Sequence, residues 1–455
     1  MVIIIYHNRE EIGRGKIFEI NSYNYGSTPE IVKKQYNVKM ETRINGLTEL
    51  FSRSIGLEEP WYIRSIETQG AEVHVYVDIR DGNRLKCPEC GEMCERAGFE
   101  KAERVWRHGD VMFYPCYVHC RRPRVRCEEH KSKVVEAPWA RKSSRFTLMF
   151  EGYAILIMAD MPILKASKLL RCNEKSLVRI LRYWVSKAVG EDNLSEVQSL
   201  AIDETSFKRG QSYVTVIIDA AKRRVIDVEP GRSEETVIDF SYKLEAKGGD
   251  CEKIMYASSD MSKAYRAGIQ FCFPKAKHTV DKFHVKKLML DAMDEVRRSE
   301  QKEQQSKLLH LGRRLLMIPE ARQEEKQRER IAEISKEYPK TGRAYRMVQA
   351  IDTVYGSKDA NEAKERLDQL YSWMRKSRLE PMKRAALTLR NYSVEILNIF
   401  HSKLTNAICE GINSMIQAAK RKARGYHTFD GFSSMIYLIA AKLQLAFPNP
   451  LRLLE

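Results

Sequence analysis

At 455 residues the chain is too long for one hydrophobic core, and roughly two to four domains are expected. Lys and Arg total 78 against 61 Asp and Glu, a net charge of +17 that favours a polyanionic partner, nucleic acid being the commonest. No apolar stretch is long enough to cross a bilayer, and Met1 to Tyr6 lacks a basic flank and soon meets Arg9, Glu10 and Glu11, so neither a membrane nor a secretory role is expected. A cytoplasmic chain keeps its thiols reduced.

Residues 1–39 are polar and without periodicity, which reads as a poorly ordered extension, and Met40 is a candidate natural start. The segment 40–135 contains a strand over 71–79, where Val73, Val75 and Val77 alternate with His74 and Tyr76. It leads into six of the ten cysteines: Cys87, Cys90, Cys94, Cys116, Cys120 and Cys127. Clustering in a reducing compartment points to metal rather than disulfides. Cys87-x-x-Cys90 brings two thiolates to one tetrahedral ion, and Cys127-x-x-His130 supplies a matching pair. Cys116, His119 and Cys120 are rival ligands. A further alternating run, Val111 to Val118, completes the strands of a zinc ribbon with one structural Zn²⁺.

From Thr147 the pattern turns helical, with Phe150, Tyr153, Ala154 and Ile157 on one face. After Pro162 a short helix, Ile163 to Leu170, precedes the turn Arg171-Cys172-Asn173 and a longer helix from about Glu174 to Lys187. This is a helix-turn-helix candidate over 140–195, although any antiparallel helix pair reads similarly. Lys175, Arg179 and Arg182 on the longer helix are candidate nucleic-acid contacts.

Residues 196–284 read as α/β: strands at Leu200–Ile202, Tyr213–Ile218, Arg224–Val228, Ile254–Ala257 and Lys277–Val280, and a helix at Glu234–Ala246. Three strands, a helix and further strands open a ribonuclease-H-like fold. Residues 285–395 are charged and helical, an insertion whose charges read as solvated faces. Residues 396–455 return to two apolar-faced helices, Leu404 to Lys420 and Phe429 to Leu445.

Three carboxylates stand out. Asp203 ends an apolar strand and Asp260 follows another. On the first late helix Asn406, Glu410, Asn413 and Gln417 share one face, opposite Leu404, Ile408, Ile412, Met415 and Ala419. Either Asp alone reads equally well as a turn or cap residue. Together with Glu410 they form the set that two Mg²⁺ (or Mn²⁺) ions need for phosphodiester chemistry. Asp203 would bridge both ions. Lys420, Arg421, Lys422 and Arg424 directly follow the helix, placed to hold phosphates, with Asn406 and Asn413 as further contacts. Asp281 and His284, after the fifth strand, are auxiliary candidates: a phosphate or proton handler, or a helix cap with a packed His.

In these motifs the sequence resembles the ISL-three family of bacterial insertion-sequence transposases. The resemblance runs from about Leu47, through Gly56-Leu57-Glu58-Glu59-Pro60-Trp61, Cys87-Pro88-Glu89-Cys90-Gly91, Ala201-Ile202-Asp203-Glu204-Thr205-Ser206-Phe207 and Tyr213-Val214-Thr215-Val216. It continues through Ser259-Asp260-Met261-Ser262, Asp281-Lys282-Phe283-His284-Val285, Thr405-Asn406-Ala407-Ile408-Cys409-Glu410-Gly411-Ile412-Asn413 and Lys420-Arg421-Lys422-Ala423-Arg424-Gly425-Tyr426. It implies an N-terminal zinc ribbon and helix-turn-helix before a ribonuclease-H-like DDE domain with a helical insertion, and puts Asp203, Asp260 and Glu410 on the three catalytic positions. It further implies double-stranded DNA partners (transposon ends and target), a homodimer, and a nucleoid-associated location. Residues 1–39 have no counterpart in the family, and Cys127-Glu128-Glu129-His130 departs from its commoner second Cys-x-x-Cys. The rival readings are a catalytically silent DNA-binding regulator derived from a transposase and a structure-specific nuclease that never joins strands.

Overall fold

The computed structural model describes residues 46–208, 212–402, 407–445 and 447. The expected extension over 1–39 and the Met40 start lie outside the described residues. The chain divides into two compact units, Met1–Thr147 and Leu148–Glu455.

The first unit begins with helix α1 (residues 46–55). Its larger sheet has the order β1-β2-β6-β5, from Trp61–Gln69 (β1), Glu72–Ile79 (β2), Arg104–Val111 (β5) and Tyr114–Cys120 (β6). In β2 the alternation is strict: Val73, Val75, Val77 and Ile79 are buried. Each such side chain contributes about 1.5–3 kcal/mol when fully withdrawn from water. Trp139 meets Trp61 and Trp106 edge to face at centroid distances of 5.1 and 5.5 Å. The run Val111 to Val118 is not one strand: β5 ends at Val111, and Met112 and Phe113 turn the chain with φ of 48° and 73°. Apolar alternation continues across the tight turn, so the period alone conceals it.

The second sheet has the order β3-β4-β7-β8, from Leu85–Lys86 (β3), Met93–Phe99 (β4), Pro123–Cys127 (β7) and Lys131–Val134 (β8). The pairing of β4 with β7 brings the turn after β3 beside the turn after β7.

The second unit opens with α2 (Leu148–Asp160), α3 (Ile163–Leu169) and α4 (Glu174–Glu191). The buried face of α2 carries Phe150, Glu151, Ala154, Ile155 and Met158, while Tyr153 is exposed, so the expected face is rotated. The rotation accommodates Glu151, whose carboxylate accepts from the Trp184 indole of α4 at 2.9 Å. Asn173 caps α4 by accepting from the Lys175 backbone N–H at 2.8 Å.

A five-stranded sheet follows, in the order β11-β10-β9-β12-β13. Its strands are Ser199–Lys208 (β9), Ser212–Asp219 (β10), Arg224–Pro230 (β11), Tyr256–Ser259 (β12) and Lys277–Val280 (β13). Among the first three, β10 is antiparallel to both β9 and β11, whereas β12 runs parallel to both β9 and β13. One face packs α5 (Glu234–Ala246) and α6 (Lys263–Cys272) against Leu200, Ile202 and Ile217. The other packs α16 (Ala407–Ala423) and α17 (Phe429–Ala440) against Ala201, Phe207, Val214 and Val216.

Between β13 and α16 lie nine helices among the described residues: α7 (Lys282–Gln304), α8 (Lys307–Leu311), α9 (Arg313–Leu316), α10 (Glu325–Glu337), α11 (Pro339–Tyr355), α12 (Ala360–Lys376), α13 (Glu380–Asn391), α14 (Ser393–Leu397) and α15 (Ile399–Ser402). They have their own core, which includes Met289, Ile334, Met347, Ile351, Leu370 and Met382. Their exposed charges pair along and between helices, as in Arg384 with Glu295 and Arg366 with Glu362, consistent with solvated faces.

Candidate catalytic and metal sites

The four sequence-selected metal ligands of the first unit converge. The ligand atoms of Cys87, Cys90, Cys127 and His130 all lie within 4.8 Å of one another. Cys90 Sγ is 3.6 Å from Cys127 Sγ, and His130 Nδ1 is 3.6 Å from Cys127 Sγ and 4.0 Å from Cys87 Sγ. Backbone and side-chain hydrogen bonding from His130 hold the Cys127 thiol down at about 6. The Cys90 thiol is pushed up to about 11: hydrogen bonding at Glu92 lowers it, but burial and the neighbouring Cys127 and Cys87 raise it more. Thiols this close cannot all ionise without a cation, so the donor set fits Zn²⁺. The rivals stand apart. Cys116 and Cys120 are fully buried on β6, their thiols pushed by burial up to about 11 and about 12, as apolar core residues. His119 hydrogen-bonds to His74 and Glu103.

In the second unit β9 is longer than expected, and Asp203 lies within it rather than at its end, paired with Val216 of β10. Polar Glu204, Thr205 and Ser206 disguise the second half of the strand. Alternation puts Asp203 and Thr205 on the face of Ala201 and Phe207, the face that α16 covers. There Asn413 donates to Asp203 Oδ2 at 2.5 Å, and Gln417 donates to Thr205 Oγ1 at 2.7 Å. The Lys420 ammonium then donates to the hydroxyl of Ser206 at 2.9 Å. The polar stripe read from the sequence therefore lies along β9, and Glu410, exposed, is one turn before Asn413 on that stripe. Cys409, Ile412 and Ile416 form the apolar side, with Met415 largely exposed. Asn406 lies outside the described residues.

Asp260 directly follows β12, and its Oδ1 accepts from the Ser262 backbone N–H at 3.0 Å. Asp281 caps α7 through Phe283 N–H at 2.7 Å and accepts from His284 Nδ1 at 2.9 Å. Burial pushes the Asp203 carboxyl up to about 6, with the like charge of Asp281 adding to it, while the Glu204 N–H, His284 and Asn413 oppose. Asp260 is raised by burial too, opposed by Ser262, His284 and Arg232. His284 is raised first by its hydrogen bond to Asp281, and further by Asp203 and Asp260. These four groups thus share one electrostatic neighbourhood, on β9 at Asp203 and just beyond the adjoining β12 and β13 at the others. A cleft of about 540 Å³ opens beside it, lined by Asp260, His284, Glu204, Arg232, Lys263 and Lys287. Sequence pattern does not single out Glu204 or Arg232. They face each other at 3.7 Å, and the only local signal is that Glu204 is the acidic neighbour of Asp203.

The candidate DNA contacts differ in their company. Lys175 and Arg179 are exposed on one face of α4, with the Arg179 guanidinium donating to Ser176 at 3.2 Å. Arg182 lies 3.4 Å from Thr428 Oγ1 and 3.6 Å from Asp430. Lys422 reaches the Asp160 carbonyl at 3.4 Å, whereas Arg421 and Arg424 line a separate cleft with Lys208.

A ribbon with a Cys₃His quartet, a helix-turn-helix and a mixed α/β segment, in this order, define a DNA transposase, and comparison with known proteins agrees. Residues 84–130 match the zinc-finger of transposase IS204/IS1001/IS1096/IS1165, and residues 135–185 match the helix-turn-helix domain of transposase family ISL3. Residues 200–436, more than half of the chain, match the ISL3 DDE transposase domain. The chain is 24% identical over 433 residues to the transposase for insertion sequence element IS1557 of Mycobacterium tuberculosis, covering 88% of this chain and 97% of the relative. It is 24% identical over 375 residues to the transposase for insertion sequence element IS1001 of Bordetella parapertussis, covering 81% and 90%. The chain belongs to the ISL3 family of insertion-sequence transposases.

Proposed function

We propose that this transposase cuts and joins DNA at a triad of Asp203, Asp260 and Glu410. The catalytic domain is then ribonuclease-H-like, formed by residues 196–284 and 396–455 and interrupted by an all-helical insertion over 285–395. Three antiparallel strands continued by two parallel ones support that assignment. The observation that carries the reading is that Asp203 and Asp260 both lie within electrostatic reach of the Asp281–His284 pair, with Glu410 one turn from the amide that holds Asp203.

The donors are carboxylate oxygens, which Mg²⁺ and Mn²⁺ prefer, and a divalent cation would offset the burial that raises both aspartates. Asp203, Asp260 and Glu410 would hold the ions. Bound there, the ions would activate an oxygen nucleophile and stabilise the leaving oxygen. Around them Asn413 fixes the Asp203 carboxylate. Asp281 orients His284, leaving Nε2 to hold a phosphate oxygen or to carry a proton from the attacking water. In the first step a water oxygen bonds to phosphorus, and the 3′-oxygen leaves with its electron pair and takes up a proton. In the second, that 3′-OH attacks a target phosphorus and displaces the target's own 3′-oxygen.

Helix α4 would read the transposon ends in the major groove, with Lys175 and Arg179 exposed and, among the described residues, unpaired with a carboxylate, and Arg182 partly compensated by Asp430. The Cys87, Cys90, Cys127 and His130 zinc would be structural, since four protein ligands leave no open position. Two ends cut together call for a homodimer.

The test is cutting of intact ends together with strand joining of pre-cut ends bearing a free 3′-OH. Joining supports transposition. Cutting without joining would make the chain a nuclease, and end binding with neither activity would make it a silent regulator.

A further inference from the structure

The polar stripe of α16 does not stop at the carboxylates. It runs along β9 and ends in a cleft of about 760 Å³ lined by Lys208, Gln417, Lys420, Arg421, Arg424 and His427, with Phe207 and Tyr426 in its floor. Lys420 is spent on the wall of this cleft, its ammonium donating to both the carbonyl and the hydroxyl of Ser206. Lys208, Arg421, Arg424 and His427 are exposed. Among the described residues no carboxylate pairs with Lys208, Arg421 or Arg424, in contrast to the paired charges of the helices between β13 and α16.

The end of α16 is built around one of these cations. Gly425 N–H returns to the Lys420 carbonyl at 3.0 Å and Arg424 N–H to the Arg421 carbonyl at 3.1 Å, the pattern of a Schellman cap. The left-handed position of that cap normally belongs to glycine, yet Arg424 occupies it with φ of 57°, and the glycine comes one residue later. A side chain there costs stability that glycine would avoid. Arg424 thus holds its exposed cation on the rim of a cation-lined cleft at a cost in stability.

We infer that the cleft between the end of β9 and the C-terminal end of α16 seats backbone phosphates of the DNA that passes the catalytic carboxylates, gripped by Lys208, Arg421 and Arg424. From Glu410 to Lys420 the helix rises about 15 Å, roughly four base-pair steps along a duplex. The seat therefore lies within a few nucleotides of the reacting phosphate. This inference rests on the proposed triad for its position but not for its chemistry.

The test uses the full-length protein and a fluorescein-labelled duplex of arbitrary sequence, titrated by anisotropy across about 50–200 mM salt. Removing one phosphate-binding cation lowers the magnitude of the slope of log affinity against log salt by about 0.9. The pair Arg421→Gln with Arg424→Gly should lower it by about 2. Lys208→Gln, whose backbone is in an ordinary strand, should lower it by about 1. The pair Lys326→Gln with Lys336→Gln, exposed on α10, removes the same charge and should leave the slope within a few tenths. Arg424→Gly alone should melt no lower than the wild type. An unchanged slope in the cleft variants, an equal reduction in the α10 control, or a lowered melting point for Arg424→Gly would each overturn the inference. Asp203→Asn, assayed in parallel for Mg²⁺-dependent cutting, separates the two readings. Wild-type cutting by that variant would remove the triad and leave the phosphate seat standing.

Discussion

Asn413 of α16 donates its side-chain amide to Asp203 Oδ2 at 2.5 Å, across a packing surface between a helix and a strand 210 residues apart in sequence. A hydrogen bond to an ionised group is worth about 1.5–3 kcal/mol, or roughly 10- to 150-fold in rate if it acts in the transition state. Asn413→Ala should therefore slow cutting by that factor while leaving DNA affinity unchanged. Asn413→Asp should be slower still, because it sets a new carboxylate against Asp203. Single-turnover cleavage alongside a binding titration checks this, and full activity of both variants would contradict it.

The ribbon's metal content gives a second prediction. The purified chain should carry one zinc, lost in Cys87→Ser together with the cooperative unfolding of the first unit. Cys116→Ala should keep the zinc and lose only about 1–2 kcal/mol from a small cavity. Elemental analysis with thermal melting distinguishes them. Zinc retained by Cys87→Ser but lost by Cys116→Ala would hand the site to the rival ligands.

The third concerns pH. His278 is buried on β13 and burial holds it down at about 4. Ser259 Oγ donates to the Asp260 carbonyl at 2.9 Å, so it accepts from His278 Nε2 at 2.8 Å, and Nδ1 is buried without a partner among the described residues. The folded pKa lies below the unfolded value of about 6.5, so the unfolded state binds the proton first. Stability contributed by neutral His278 is complete above pH 6.5 and is lost as pH falls from about 6.5 to about 4, to the extent of about 3 kcal/mol. His278→Gln, which keeps a donor for Ser259, should flatten that part of the profile. Denaturant unfolding at several pH values reads it, and a slope identical to wild type would refute the assignment.

A fourth prediction concerns the helix-turn-helix. Glu151→Ala leaves the buried Trp184 indole N–H without its acceptor and should destabilise this segment by about 1–3 kcal/mol. Glu151→Gln, which retains an acceptor oxygen for Trp184, should lose less than Glu151→Ala. Equal losses in both variants, measured by chemical denaturation, would contradict the hydrogen-bond account.

Most of these features can be read from local pattern. The zinc quartet depends on spacings of three residues, and a knuckle geometry is encoded within that distance. The helix Glu234–Ala246 is legible because its buried Val237, Phe240 and Leu244 repeat at helical spacing within the segment itself. What pattern misses depends on partners far along the chain. Asp203 resembles a strand end because Glu204, Thr205 and Ser206 are polar, yet they continue β9, satisfied by Gln417 and Lys420 more than 200 residues away. The buried face of α2 is misread from periodicity because Glu151 is an acidic residue turned inward, where it accepts from Trp184 of α4. Val111 joins the wrong strand because a two-residue turn preserves the apolar alternation. Arg232 and Lys208 carry no signal of their own, and only the folded sheet sets them beside a cleft.

The most direct test of the proposed triad is cleavage of a supercoiled plasmid carrying the element's own ends, with Mg²⁺, by wild type and by Glu410→Gln. Loss of cutting by at least about 100-fold, or about 2.7 kcal/mol, with end binding retained is the predicted result. Equal cutting by the two proteins would remove Glu410 from the site.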